Sequence, residues 1–316
     1  MLATFFTPET SKKKFYMIAK EIKSTQRNPV LTFFLALLFP CFGQVYNGQM
    51  KKGLMFFLIT LAIPFVFGFT RMGVFFIGFI SLNLIDFSFK IFTIYDAVRN
   101  AKKADNFRLK SYNTWYYHLI IIVVISTITY FYDYNSVLGI KSYSTPTSYN
   151  EPTLKIGDKV VGDLRAYKFI EPNYGDIVVF QQKDSLNPSS YRVVALPKDT
   201  LEIKNNVLII NGKKCETLFI KETQSDGFDV NEYEEVLPNG HKHKIYTFKK
   251  PFEGNIDSIE ELIIPPNSYY LIGDNRDNAM DSRYVGLIKR DEIIAKIVFS
   301  FWGKTTDRIN INFKEI

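Results

Sequence analysis

The stretch GDNRDNAMDSRYVG, Gly273–Gly286, places five charged residues, two asparagines and two glycines in one short run. An ordinary solvated strand has no use for charge at that density. Asp274, Asn275, Arg276, Asp277, Asp281, Ser282 and Arg283 instead predict a network of Asp, Asn and Arg side chains that holds a tight turn by charge-assisted hydrogen bonds.

Outward from that turn the chain reads as strands. DIVVF (Asp176–Phe180), RVVAL (Arg192–Leu196), LEIKNNVLIING (Leu201–Gly212) and IAKIVFSFW (Ile294–Trp302) are short β-branched runs bounded by turn residues. The pair Asn205-Asn206 suits a tight hairpin turn. Lys221 to Asn255 is polar and weakly patterned and is expected to be an excursion or loop, with His241 and His243 of NGHKHK in a solvated turn rather than a metal site. The stretch TSYNEPTLKIGD, Thr147–Asp158, is an irregular, Pro-anchored loop between a hydrophobic helix and a strand. Loops of that kind often carry a nucleophile, yet its most prominent side chain, Tyr149, is a phenol.

Composition divides the chain in two. Residues 1–137 carry 15 Lys/Arg and 6 Asp/Glu, a net +9, whereas the remainder carries 24 and 26, a net −2. The basic excess therefore belongs to the apolar half, which argues for membrane topology and against a nucleic-acid footprint on the globular half. Cys41 and Cys215 lie in different halves, so neither a disulfide framework nor a cysteine metal site follows. No cofactor is implied.

The expected organisation is a basic cytoplasmic N-terminus (1–28) and a hydrophobic membrane region of two to three helical segments (29–98). A basic cytoplasmic loop (99–112), a transmembrane helix (113–134) and an extracytoplasmic β domain (138–316) follow. Pro29–Tyr46 is at the lower limit of a span. Gly53–Thr70 and Gly73–Tyr95 are stronger candidates, and Thr114–Tyr132 is the cleanest, with aromatic residues at both ends. The loop RNAKKADNFRLK, Arg99–Lys110, should stay in the cytoplasm, so the helix after it runs outward. Keeping the Lys-rich N-terminus and Lys51-Lys52 inside as well requires Pro29–Tyr46 to be re-entrant or interfacial. Asp86 and Lys90, four apart on one helix, are functional suspects at such depth; a local ion pair or snorkelling of Lys90 is the plainer expectation.

Taken together, these stretches resemble the bacterial type I signal peptidases, membrane-bound serine proteases that trim signal peptides with a Ser/Lys dyad. GDNRDNAMDSRYVG corresponds to that family's most distinctive box. GDIVVF (Gly175–Phe180) and RVVALPKDTLEI (Arg192–Ile203) correspond to the next two, and EPTLKIGD (Glu151–Asp158) to the tail of the nucleophile box. The likeness runs in order over Thr145–Trp302. It implies N-terminal transmembrane helices followed by an extracytoplasmic all-β signal-peptidase-like domain, in a multi-pass protein of the bacterial cytoplasmic membrane.

Carried over residue by residue, the resemblance also implies a loss. The family's PSGSMEPTL stands here as PTSYNEPTL, so the nucleophile position is Tyr149 and the Met after it is Asn150. The Lys before the RVVGLPGD-like box is Tyr191, and the serine that orients that Lys is Ala279. Asp281 and Arg283 remain as partners in a structural ion pair, and Thr147 supplies the hydroxyl expected beside the oxyanion site. A serine attacks when a base takes its proton, and a lysine serves as that base once burial lowers its pKa. A tyrosine, titrating near ~10, offers neither group. Ser148 is a fallback nucleophile, but a one-residue slip displaces the hydroxyl by ~3.5 Å. The nearest amines, Lys183 and Lys198, miss the base position.

The expected function is therefore a signal-peptidase-like membrane protein that binds signal sequences or exported polypeptides without cleaving them, as a chaperone or assembly factor. The expected partners are those polypeptides and the lipid bilayer, with no nucleic acid. Two alternatives stand beside it: an active signal peptidase with a rearranged nucleophile, and a structural partner in a membrane complex.

Overall fold

The computed structural model describes residues 27–39, 41–103, 113–182 and 187–314. The expected cytoplasmic N-terminus, up to residue 26, the loop residues 104–112 and Lys183 lie outside the described residues. The chain forms two compact units, Met1–Thr70 with Ile80–Val137 and Arg71–Phe79 with Leu138–Ile316.

The first unit is helical. α1 (Pro29–Leu38) opens on Asn28, whose side chain accepts from the Val30 and Leu31 amides, with Pro at the first helical position, where no amide is needed. The apolar segment Pro29–Tyr46 is not one helix, because Cys41 takes a left-handed backbone (φ 61°) and α2 (Phe42–Tyr46) starts after it. At ~1.5 Å per residue, the ten residues of α1 cover about half of a ~30 Å hydrocarbon core. α3 (Met50–Thr70) and α4 (Phe76–Lys103) are long and apolar enough to cross a membrane. α5 (Trp115–Phe131) is apolar but shorter, and α6 (Tyr134–Leu138) is a single turn or so.

One sequence expectation changes here, and one alternative of another, the ion pair, drops out. α4 continues through Arg99 to Lys103, into the stretch expected as loop, because nothing there breaks a helix and its basic last turn favours the carbonyl end. Asp86 and Lys90 share α4 yet form no ion pair; the Asp86 carboxylate takes a long hydrogen bond from Tyr134 Oη, at 3.4 Å. Buried amides tie α2 to α4: Gln44 Nε2 donates to the Thr93 carbonyl at 2.7 Å and Asn47 Nδ2 to the Ala97 carbonyl at 2.8 Å. The backbones approach closely, since a Cβ on Gly43 would sit 2.8 Å from Ala36 Cβ and 2.9 Å from Ala97 Cβ.

The second unit is built of antiparallel strands. Its main sheet runs β1 (Ile140–Ser144), β2 (Lys159–Asp163), β14 (Ile293–Trp302), β3 (Ile177–Phe180), β4 (Ser189–Ala195), β12 (Ser268–Ile272) and β13 (Ile288–Lys289). A second sheet orders β11 (Ile259–Ile263), β5 (Thr200–Lys204), β6 (Val207–Ile210) and β7 (Lys213–Lys214). A third orders β10 (Lys242–Phe248), β9 (Phe228–Val236) and β8 (Glu216–Ser225). β3 is buried at all four residues, as expected of a β-branched run covered on both faces. Leu154, Ile177 and Phe313 pack on one side of it, and Val178, Val193 and Leu271 on the other. The β5–β6 turn has Asn205 and Asn206 both left-handed (φ 49° and 63°), which its hairpin twist requires.

The third sheet corrects the expectation of a loop over Lys221–Asn255. Its strands carry no apolar alternation, because several inward positions are charged. Glu232 and Glu235 are buried there and matched by Lys244 and Arg276, and the buried His243 lies against the Glu235 and Asp274 carboxylates instead of an apolar face. His243 is thus a core residue. His241 packs against Gly175 and Arg192 instead of standing in solvent.

Candidate functional site

The loop after β1 is closed at its base by paired main-chain bonds, Thr145 N to the Asp158 carbonyl and Gly157 N to the Thr145 carbonyl, each 2.9 Å. Below it, Arg308 pairs with the buried Asp158 and donates to the Thr153 carbonyl at 2.7 Å. At the tip, the Asn275 amide donates to the Tyr149 carbonyl (3.0 Å) and Asn275 Nδ2 to the Ser148 carbonyl (3.2 Å). The loop is therefore fastened to the Gly273–Gly286 segment through both the main-chain and the side-chain amide of Asn275.

That segment is held from beneath. Asp281, fully buried, accepts from Arg283 Nε (2.8 Å) and Nη2 (2.7 Å) and from the Gly273 amide (3.0 Å). It also caps the short helix α7 (Ser282–Val285), while Ser282 Oγ accepts from the Leu271 amide. Asp274 receives the Arg192 guanidinium in a two-pronged bond, 2.8 and 2.7 Å. Burial pushes the Asp274 carboxyl up and Arg192 pulls it down, with the net below the usual carboxylate range. Arg276 reaches Glu235 and the Asn206 carbonyl, and Asp277 collects Asn206 Nδ2, Asn255 Nδ2 and the Phe248 amide. Gly273 has no room for a side chain: a Cβ there would lie 2.4 Å from Ala279 Cβ and 2.6 Å from the Tyr149 carbonyl oxygen.

Tyr149, Tyr191 and Ala279 come together on this frame. All three pack in one apolar cluster with Phe180, Val193 and Leu271. The Tyr191 hydroxyl donates to the Met280 carbonyl at 3.0 Å. Burial, reinforced by the Asp281 carboxylate, raises the Tyr191 phenol well above its ordinary value, so it stays protonated. Asn150 turns away and donates to the Ser190 carbonyl at 2.7 Å. Thr147 is half-buried beside them.

Ser148 points elsewhere. It is buried, donates its hydroxyl to Asp226 Oδ2 (2.9 Å) and accepts from Asn278 Nδ2 (2.8 Å). Asp226 belongs to the turn between β8 and β9, whose neighbouring Ser225 donates to Glu151. Sequence reasoning missed Asp226, Glu235, Arg192 and His243. The one signal available was the density of Glu in Asp229–Glu235, an unusual choice for a strand unless buried cations await it.

The similarity to known proteins follows this geometry. Residues 113–302 match the family described as signal peptidase, peptidase S26. Signal peptidase IB of Staphylococcus aureus (strain MRSA252) is 31% identical over 166 residues, covering 51% of this chain and 78% of that protein. Signal peptidase I of Rickettsia akari (strain Hartford) is 32% identical over 142 residues, covering 43% of this chain and 53% of that protein. A crystal structure of a signal peptidase I from Enterococcus faecalis V583 aligns with 40% of this chain and 96% of its own, at 21% identity and a TM-score of 0.25. With more than half of its length inside the family match, the chain belongs to the signal peptidase family, peptidase S26.

Proposed function

We propose that this protein binds signal sequences or exported polypeptides at the Tyr149 loop without cleaving them, as a chaperone or assembly factor. One observation carries the reading: the positions of the family's nucleophile, base and base-orienting serine are Tyr149, Tyr191 and Ala279, packed together in one apolar cluster. A protonated phenol bonded to a carbonyl cannot take a proton from a nucleophile. Such a domain still offers strand edges and a rigid loop to an extended peptide. In this reading α3, α4 and α5 lie in the bacterial cytoplasmic membrane, the basic stretch after α4 is cytoplasmic, and the β unit stands outside. Partnership in a membrane complex is compatible with the same surface.

A second reading has its own observation. Ser148 carries a hydroxyl already bonded to a carboxylate, Asp226, which is the minimal pairing for a rearranged nucleophile. Incubating the purified full-length protein with a preprotein carrying a photo-crosslinker in its signal sequence separates the two. Crosslinking at the Tyr149 loop with intact preprotein supports binding. Defined cleavage that is lost in Ser148→Ala supports the enzyme and overturns the first reading.

A further inference from the structure

The helical unit holds a feature that peptide binding by the β unit does not use. α1, α3, α4 and α5 line an open pocket of 360 Å³, whose lining includes Asp86, Lys90, Thr60, Thr129 and Tyr134 among apolar neighbours. At about 30 Å³ per water, this is room for on the order of ten waters, well beyond a packing defect. Asp86 and Lys90 stand one helical turn apart, the spacing at which a carboxylate and an ammonium usually close on each other. Here they make no ion pair, and the Lys90 ammonium has no hydrogen bond among the described residues. Both charges line the same space.

A second cavity, of 210 Å³, is lined by Val45, Leu54, Phe57, Ile121 and Ile125 and is apolar almost throughout. Cys41, itself buried, lines both cavities, so they lie on either side of one side chain. The sequence of a charged, hydroxyl-lined space followed by a dry apolar one is that of a head and a tail.

We propose that the helical unit binds one amphiphile whose head carries both an amine and a phosphate, the ammonium toward Asp86, the phosphate toward Lys90 and an acyl segment in the Phe57–Ile125 space. Charge selects the class. An anionic amphiphile satisfies Lys90 and is repelled by Asp86, a cationic one does the reverse, and an uncharged one complements neither. A zwitterionic head answers both. The proposal rests on the reading of this unit as membrane-embedded, and not on whether the β unit cleaves.

The test uses the full-length protein, purified in mild detergent and incubated with phosphatidylethanolamine, phosphatidylglycerol or soluble glycerophosphoethanolamine, then weighed by native mass spectrometry. The wild type should keep one phosphatidylethanolamine in preference to phosphatidylglycerol by roughly tenfold or more, the factor expected of one charge-assisted contact. Asp86→Asn should remove that preference, whereas Lys90→Gln should lower retention of both lipids, since both carry the phosphate, and leave the preference in place. Ile125→Trp should reduce retention of both lipids by filling the tail space. The double variant, which strands no charge, should fold with an unchanged melting temperature and bind the two lipids equally. Equal retention by the wild type, a preference that survives the double variant, or displacement of the lipid by soluble glycerophosphoethanolamine would overturn the proposal. So would displacement by a signal peptide in the same assay. Carbonate extraction of membranes from expressing cells keeps the two failures apart: release into the supernatant sinks the membrane reading, whereas equal lipid retention by protein that stays in the pellet sinks the site alone.

Discussion

Replacing Arg283 by Ala should cost the β unit much of its stability although position 283 touches no reacting group. Asp281 and Arg283 are both buried, with Nε–Oδ1 and Nη2–Oδ2 distances of 2.8 and 2.7 Å. Arg283 Nη1 also donates to the Asn206 side chain (3.2 Å) and the Ile256 carbonyl (3.0 Å). The Ala variant leaves the Asp281 carboxylate in the interior with two main-chain donors, from Gly273 and residue 283. Stranding one partner of a buried pair costs about 3–5 kcal/mol. For a unit of this size, each kcal/mol moves the midpoint by about 2–4 °C, so the melting temperature should fall by roughly 6–20 °C. Removing both charges, as Asp281→Ala with Arg283→Ala, leaves no stranded carboxylate and should recover part of the loss, less about 1 kcal/mol for the α7 cap. Thermal unfolding of the purified protein at neutral pH, followed by near-ultraviolet circular dichroism, reads both variants. An Arg283→Ala protein that melts within ~2 °C of wild type, or a double variant no better than the single, would falsify the assignment of this pair as the support of the Gly273–Gly286 turn.

Further outcomes follow from the same frame. Tyr149→Phe should bind a signal-sequence peptide as tightly as wild type, and Tyr149→Ser or Tyr191→Lys alone should gain no proteolysis. Only Tyr149→Ser, Tyr191→Lys and Ala279→Ser combined can restore it, because the groups act as a unit; cleavage by either single variant contradicts the role given to the pair. Gly273→Ala should lower yield and melting temperature, since the added methyl meets the Tyr149 carbonyl and Ala279; an unchanged melt would show that the loop can move aside. His241, held down to about 4 by burial and then by Arg192, takes a proton less readily in the folded protein than in the unfolded chain. Its contribution is present above pH ~6.5 and is lost as the pH falls toward 4. After discount for its partial exposure the loss is about 1–2 kcal/mol. A His241→Gln protein should show a flatter pH–stability curve over that window, and an identical curve would refute it.

Much of the β unit was legible in the chain. β3, β4 and β14 announce themselves as β-branched runs, and β3, buried at all four residues, is covered on both faces and needs an apolar residue at each. The Asn205-Asn206 turn is equally local, since left-handed backbone at two adjacent residues is a demand that few residue types meet. The Gly273–Gly286 box is recognisable by charge alone, and Tyr149, Tyr191 and Ala279 are readable as substitutions as soon as the boxes are aligned.

What the order of residues could not show was which charges face inward. β9 and β10 hold Glu232, Glu235 and His243 in the interior, matched by Lys244 across the sheet, by Arg276 beyond it and by the Asp274 carboxylate, so the alternation that marks a strand is missing from them. The same holds for Ser148, whose partner Asp226 is 78 residues away, and for Asp86 and Lys90, which helical spacing alone pairs with each other. Periodicity reports how one segment meets an apolar surface. The partner of a buried charge is set by which distant segment folds against it, and only the tertiary structure decides that.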